Sequence, residues 1–93
     1  MSVGTLSKRL EIKNRLGLHM RAARLLIQAV EKLDARISIC KDDQTVNGKS
    51  IIGLMMLAAG QGSCIDVVAE GADCQAAVDA IAALVEDKFG ESS

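Results

Sequence analysis

The sequence predicts an α+β fold in which a four-stranded, mainly antiparallel sheet carries three helices on one face, in the order βαββαβα. Two observations predict it. Apolar residues recur at every second position in short segments, as in half-buried strands, and at helical spacing in longer segments between them. Both kinds of segment alternate within 93 residues, a length that suits one domain with one modest core. We therefore expect residues 1–93 to form a single open-faced sandwich.

The first half of the chain predicts a strand, a helix and a hairpin. Apolar and polar residues alternate over residues 6–12, which is typical of a half-buried strand. After a turn at residues 14–17, an amphipathic helix is indicated by apolar residues at i, i+3, i+4, i+7 and i+10, namely Ala23, Leu26, Ile27, Val30 and Leu33. Residues 35–41 and 44–46 predict two strands, and Asp42-Asp43 predicts the hairpin turn between them.

The second half predicts a short helix, a strand and a final helix. Ser50 is placed to cap a short helix that reaches about residue 58, and a glycine-rich turn then leads to an alternating strand over residues 64–70. We expect Asp73 to cap the final helix and Gly90 to end it. The buried face of that helix is predicted to comprise Ala77, Val78, Ile81, Leu84 and Val85. We expect residues 91–93 to be a loose tail.

Composition argues against several function classes. The formal net charge is −1 and Phe89 is the only aromatic residue, which disfavours nucleic-acid binding through a positive field or through base stacking. The three cysteines, Cys40, Cys64 and Cys74, have no C-x-x-C spacing, so neither a zinc site nor a disulfide framework is indicated. The longest apolar run, residues 51–59, is too short to span a bilayer, and no signal-peptide pattern opens the chain. We expect a cytoplasmic monomer with no membrane or nucleic-acid partner.

The turn before the first helix leads into the only histidine, His19. The unperturbed pKa of histidine is about 6.5, so a neutral imidazole with a nucleophilic nitrogen is available at pH 7. The first turn of a helix attracts phosphate through its unpaired N–H groups and the helix dipole. Arg21 adds a fork of donors there. These residues predict a nucleophile that takes a phosphoryl group, although a lone histidine at a helix start is more often a capping or surface residue.

Three motifs extend this interpretation to most of the chain. Residues 17–23 are Gly-Leu-His-Met-Arg-Ala-Ala, residues 48–59 are Gly-Lys-Ser-Ile-Ile-Gly-Leu-Met-Met-Leu-Ala-Ala, and Ala69-Glu70-Gly71 precede the last helix. In amino-acid sequence and in spacing they resemble the signatures of HPr, the histidine phosphocarrier family of the bacterial phosphoenolpyruvate phosphotransferase system. Ala22 stands where the family usually has proline, a departure that resembles some members of the nitrogen-related NPr branch. Alanine is compatible with the first turn of a helix, so we expect the site to tolerate it.

The resemblance implies a phosphoryl relay. Nδ1 of His19 would accept the phosphoryl group from phosphorylated enzyme I and pass it to a histidine of a IIA-type protein. Arg21 would stabilise the phosphate, and Gly17 would give backbone freedom at the helix entry. Arg24, one turn further along, could assist, although a solvated charge on a helix face is the more usual role of such a residue. The chain would act as a phosphotransferase intermediate without a substrate specificity of its own. No cofactor and no metal ion are expected.

The resemblance also implies that Ser50 is a regulatory site, because the corresponding serine is phosphorylated by an HPr kinase in many family members. A phosphate at a helix start is electrostatically tolerated, so it would change a docking surface more than the fold. This is compatible with the N-cap role that the position of Ser50 predicts.

The short helix is apolar almost all round, which is more than one buried face requires. We expect Leu54 and Leu57 to point inward and Ile51, Ile52 and Met55 to form an exposed patch. In family terms this patch and the start of the first helix, including Met20, form the face that docks both donor and acceptor.

Two other functions remain open at this stage. A regulatory protein-docking module controlled by phosphorylation of Ser50 would use the same fold, and some HPr-like proteins of this kind lack the histidine. The presence of His19 favours the carrier. An ACT-like ligand-binding domain shares much of the βαββαβ order, but it would leave the final helix and the His19–Arg21 pair unexplained.

Overall fold

The computed structural model describes residues 4–93, so the expected domain is described apart from residues 1–3. Its elements are β1 (Gly4–Glu11), α1 (Met20–Val30), β2 (Arg36–Lys41), β3 (Gln44–Asn47), α2 (Ile51–Met56), β4 (Cys64–Gly71) and α3 (Cys74–Glu86). A 3₁₀ turn, Lys88–Gly90, follows α3. The order confirms the predicted βαββαβα arrangement. Within this described range, none of the helices combines the length and the apolar character needed to cross a membrane.

The four strands form one sheet in the order β1-β4-β2-β3, and every neighbouring pair is antiparallel. The register places Leu10 opposite Ile65, and both side chains are buried on the face that packs against the helices. On the other face lies the exposed ion pair between Arg9 and Asp66, at 3.1 Å. The sheet is therefore an open-faced one with its helices on one side, as the alternation of apolar and polar residues predicts.

The core between the sheet and the helices is aliphatic. Its largest fully buried side chains include Ile12, Leu26, Ile37, Ile39, Leu54, Leu57, Ile65 and Ile81. Phe89 is also buried, with 3% of its surface exposed. The single aromatic residue therefore anchors the segment after α3 to the core.

Two details of the first and last helices differ from the expectation. Leu33 belongs to the turn after α1, because the helix ends at Val30 and the N–H of Leu33 bonds to the carbonyl of Val30 at 3.0 Å. Asp73 stands at the N-cap position of α3, but its side chain does not cap the helix. Its carboxylate accepts a hydrogen bond from the N–H of Asp34 at 2.7 Å and so ties two loops together.

The end of α3 is also earlier than expected. The helix stops at Glu86, and Gly90 lies in the following 3₁₀ turn with a φ of +78°. The chain leaves the helix before Gly90 because Lys88 and Phe89 already adopt left-handed backbone angles, each with a φ of 54°. This turn directs residues 91–93 back across the molecule.

Candidate functional site

His19 occupies the N-cap position of α1. Its backbone is extended, and its carbonyl accepts the first helical hydrogen bond, from the N–H of Ala23 at 2.8 Å. The ring makes no capping bond to the helix, and 26% of the side chain is exposed. The imidazole is therefore held at the start of the helix while remaining accessible.

Gly17 allows the loop to place His19 there. Its φ is +71°, a left-handed value that favours glycine. A Cβ atom at this position would lie 2.5 Å from the carbonyl oxygen of Ala59, which already accepts a hydrogen bond from the N–H of Leu18 at 2.8 Å. The loop before α1 thus packs directly on the loop after α2. The backbone freedom expected of Gly17 is used in this contact.

The contact between the two loops creates a small depression beside the histidine. It has a volume of about 250 Å³ and is lined by Leu16, Leu18, His19, Met55, Ala58, Ala59 and Gly60. Five of the seven lining residues are apolar, and the imidazole of His19 lies among them.

The first turn of α1 offers unpaired donors next to the ring. The N–H groups of Met20, Arg21 and Ala22 have no hydrogen-bond partner among residues 4–93. They lie at the positive end of an eleven-residue helix, the arrangement that binds phosphate in many proteins. Since the N–H of Ala22 makes no bond, the alanine in place of the usual proline leaves the hydrogen bonding of this turn unchanged.

The ring nitrogens of His19 have different surroundings. Nε2 lies 2.5 Å from Oε2 of Glu91, whereas Nδ1 has no hydrogen-bond partner within the described part of the chain. The other oxygen of Glu91 accepts a hydrogen bond from Nδ2 of Asn14 at 3.2 Å. The expectation of a loose tail is therefore wrong, because residues 91–93 dock on the site.

The contact with His19 also changes the ionisation of Glu91. The hydrogen bond from the ring is the main reason why the pKa of the Glu91 carboxyl lies below its ordinary value, and the hydrogen bond from Asn14 adds to this effect. Partial desolvation works in the opposite direction. The ionised carboxylate is thus favoured at neutral pH. It places a negative charge beside His19, where the sequence indicated only the positive charge of Arg21 and the positive end of the helix dipole.

Arg21 and Arg24 lie on the exposed side of α1, and neither forms an ion pair within residues 4–93. Together with Met20, Leu25 and Gln28 they line a shallow groove along the helix. Both guanidinium groups are therefore available to an incoming anion, and Arg21 lies within the first turn, closest to His19 in the chain.

Ser50 is the N-cap of α2, as predicted. Its hydroxyl oxygen accepts a hydrogen bond from the N–H of Gly53 at 3.1 Å. The neighbouring Lys49 does not cover it, because the Lys49 ammonium donates to the carbonyl of Leu33 at 2.9 Å. Ser50 is half-buried at the start of a short helix whose next turn bears exposed apolar residues.

The apolar surface beside the site agrees with the expectation except at one residue. Leu54 and Leu57 are buried, whereas Ile52 (70% exposed) and Met55 are exposed, as is Met20 on α1. Ile51 is the exception: it is half-buried and packs against the core. Its position three residues before the buried Leu54 puts both on the same side of the helix.

Four residues of this region were not identified from the sequence. Leu16 (68% exposed) and Met56 extend the exposed apolar surface, and Asn14 and Glu91 contact each other beside the ring. Leu16 and Asn14 belong to an irregular loop, where periodicity gives no signal. Glu91 lies 72 residues from His19, so no local pattern could connect them.

Several known proteins resemble this chain in sequence and in structure. A family profile described as "PTS HPr component phosphorylation site" matches residues 6–87. The chain is 44% identical to the phosphocarrier protein HPr of Treponema pallidum over 84 residues, which cover 90% of this chain and 96% of that protein. It is 42% identical to the phosphocarrier protein NPr of Shewanella violacea over 88 residues, covering 95% and 97% of the two chains. Among solved structures, HPr-C-His from Thermoanaerobacter tengcongensis superimposes with a TM-score of 0.91 at 42% identity, covering 95% of this chain and 99% of that one.

Proposed function

The chain belongs to the HPr family of phosphocarrier proteins, and we propose that it carries the phosphoryl group on Nδ1 of His19. A phosphocarrier of the phosphotransferase system needs a nucleophile that takes the group from one protein and releases it to another. His19 is the only histidine in the chain. One observation above all supports its assignment as the acceptor: within residues 4–93, Nδ1 has no hydrogen-bond partner, and the ring belongs to the N-cap residue of a helix whose first three N–H groups are also unpaired.

The transfer conserves the proton on the ring. The Nδ1 lone pair forms the new bond to phosphorus as the bond from phosphorus to the donor's leaving atom breaks, and the electron pair of that bond stays on the donor atom. The N–H groups of Met20, Arg21 and Ala22 then face an added phosphate, and the Arg21 guanidinium neutralises part of its charge. The onward step to the acceptor's histidine reverses these events.

The stabilisation has to remain moderate, since a carrier that bound the phosphoryl group too tightly would not release it. The first turn offers one arginine without an ion pair among residues 4–93 and a few backbone donors, which fits this requirement. Arg24, one turn further along, is assigned a secondary role in attracting the anionic partner.

The experiment for this assignment is intact-mass spectrometry after incubation with phosphoenolpyruvate and purified enzyme I, with His19→Ala as control. We expect a single phosphoryl adduct on the wild-type protein that is lost in acid, and none on the variant. Circular dichroism verifies that His19→Ala is folded, as expected because the ring makes no capping bond. An adduct of the same size on the folded variant would refute the assignment.

Enzyme I is the proposed donor and a IIA-type protein the proposed acceptor. For both partners we assign the docking face to the exposed residues Leu16, Met20, Ile52 and Met55, since adaptable methionines suit a surface that fits several proteins. Relatives of similar identity carry both the HPr name and the NPr name, so membership of the nitrogen-related NPr branch stays a prediction. Comparing phosphorylation rates with enzyme I from each branch tests it.

We propose that residues 1–93 form one domain that works as a cytoplasmic monomer. Aliphatic packing of all three helices on a single sheet supports the single domain. Equilibrium sedimentation tests the monomer, and a mass of twice 9.8 kDa would contradict it.

A regulatory role of Ser50 is a second candidate. The observation that favours it is the position of Ser50 at the start of α2, next to the exposed Ile52 and Met55. A phosphate there would add two negative charges to the proposed docking face while lying at the positive end of the helix. Incubation with an HPr kinase and ATP, with Ser50→Ala as control, tests this, and a kinase-dependent adduct that persists in Ser50→Ala would contradict it.

A further inference from the structure

The segment after α3 is fixed beside the histidine by contacts on both sides of Glu91. Phe89 is buried in the core. On the other side, the main-chain oxygen of Ser93 accepts a hydrogen bond from the N–H of Arg15 at 3.0 Å. The carboxylate of Glu91 therefore has a defined position between these two anchors, and only 17% of its side chain is exposed.

Asn14 completes this arrangement. Among residues 4–93 it is the one polar residue that is buried, with no exposed surface. Its Nδ2 donates to the carbonyl of Gly17 at 2.7 Å and to Glu91 at 3.2 Å, while its Oδ1 has no partner within the same residues. An unpaired buried polar atom lowers stability. An apolar residue would avoid that cost, but it could not hold Gly17 and Glu91 together.

The carboxylate of Glu91 determines which nitrogen of the neutral ring carries the proton. Its Oε1 is occupied by the donor from Asn14, and its Oε2 faces Nε2 of His19. An ionised carboxylate only accepts hydrogen bonds, so the ring has to present an N–H at Nε2. In a neutral imidazole the other nitrogen then carries the lone pair, and here that nitrogen is Nδ1.

We propose that Glu91 is a positioning residue for phosphoryl transfer: held by Asn14, it fixes His19 in the tautomer with the proton on Nε2 and so makes Nδ1 the nucleophile. This inference rests on the proposed function of His19. When Nδ1 bonds to phosphorus, the ring keeps the Nε2 proton and gains a positive charge. The carboxylate already lies on that N–H, so no proton has to move and the new charge is compensated.

The test replaces the carboxylate by an amide of nearly the same shape. In Glu91→Gln the single amide oxygen is taken by Asn14, and the NH₂ group then faces Nε2 as a donor. We expect the proton of the neutral ring to move to Nδ1, which ¹⁵N NMR detects directly because the chain has one histidine. We also expect transfer from phosphorylated enzyme I to slow by about ten-fold or more.

Two further variants make the result specific. Glu86→Gln is the matched control, because Glu86 is an exposed carboxylate bound to Lys13 at 2.8 Å and takes no part in the contact with His19. It should leave the tautomer and the transfer rate unchanged. Glu91→Asp keeps a carboxylate and should retain the Nε2–H tautomer and transfer faster than Glu91→Gln.

The proposal is overturned if Glu91→Gln transfers at the wild-type rate, whether or not the tautomer changes. It is equally overturned if the variant melts at a lower temperature with an unchanged tautomer, since Glu91 would then only attach the tail. A failure of the proposed function is distinguishable. In that case wild-type His19 would take no phosphoryl group, while the tautomer of the unmodified ring could still be measured.

Discussion

Gly17→Ala tests how the loop before α1 holds the histidine in place. The substitution adds one methyl group at a position where φ is +71° and where a Cβ atom would lie 2.5 Å from Ala59 O and 2.7 Å from Gly60 Cα. Neither neighbour is a flexible side-chain end, so the backbone of one loop has to shift. His19 is two residues away and should shift with it.

The magnitude follows from two contributions. Holding a non-glycine residue in the left-handed region costs about 1–2 kcal/mol. Displacing Ala59 also weakens its hydrogen bond with the N–H of Leu18, which contributes about 0.5–1.5 kcal/mol. We therefore expect the free energy of unfolding of Gly17→Ala to fall by about 1.5–3.5 kcal/mol.

Gly62→Ala is the matched control: Gly62 has a φ of +86°, but a Cβ atom there would have open space around it, with no atom of residues 4–93 beyond its chain neighbours within 4 Å. Its free energy of unfolding should fall only by the cost of holding alanine in the left-handed region, about 1–2 kcal/mol, and its rate of phosphoryl transfer should not change. Urea denaturation and a transfer assay with enzyme I measure both variants. If Gly17→Ala were no less stable than Gly62→Ala and transferred equally fast, the close approach of the two loops would not position the histidine.

Three further predictions concern the cap, the docking face and pH. Ser50→Ala removes the acceptor for the N–H of Gly53 and should destabilise the protein by about 0.5–2 kcal/mol in denaturant titration. Ile52→Asp places a charge on the proposed docking face and should raise the KM for phosphorylation by enzyme I at least several-fold without changing the melting temperature, because Ile52 is 70% exposed. Glu91, whose pKa is lowered by the His19 contact, contributes stability that is complete above its ordinary value of 4.5 and is lost as pH falls through its lower folded value. Wild-type protein should therefore lose more stability than Glu91→Gln on acidification below that point.

Each of these has a contrary outcome. A Ser50→Ala variant as stable as wild type would show that the cap is dispensable. An unchanged KM for Ile52→Asp, with Gln44→Asp on the exposed strand β3 as a charge-matched control, would place docking elsewhere. Parallel acid denaturation of wild type and Glu91→Gln would mean that the Glu91 contact adds nothing to stability.

Most of the fold could be predicted because its elements are governed by periodicity. The alternation in β1 and β4 and the helical spacing in α1 are direct consequences of which face is buried, so Leu10, Ile65 and Leu26 all lie in the core. Ser50 was predictable for a local reason as well, since a capping hydroxyl needs only the third residue after it. These signals extend over a few residues and need no knowledge of distant partners.

The differences arise where a distant partner competes with a local one. Asp73 stands at a capping position, but the N–H of Asp34, 39 residues away, takes its carboxylate. Ile51 was assigned to the exposed patch because the helix is apolar all round, and its packing against the core distinguishes it from Ile52. The competition for Asp73 leaves no trace in the local sequence, whereas the spacing of three residues between Ile51 and Leu54 is a local signal that both lie on the same side of the helix.

The candidate site also combines residues that a local motif identifies with a residue that only a distant contact brings there. His19, Gly17 and Arg21 were identified from one continuous motif. The carboxylate on the ring was not, because Glu91 approaches His19 only after Lys88, Phe89 and Gly90 turn the chain with left-handed backbone angles. Of these three residues only the glycine is a usual signal for such a turn.

The measurement that tests the central claim most directly is NMR of the ¹⁵N-labelled protein after phosphorylation by enzyme I and phosphoenolpyruvate. Coupling between phosphorus and a ring nitrogen identifies the atom that carries the group. His19 is the N-cap residue of α1, its Nε2 is bound to Glu91, and its Nδ1 has no hydrogen-bond partner among residues 4–93, so we predict that phosphorus is attached to Nδ1. Attachment to Nε2, or to a residue other than His19, would contradict it.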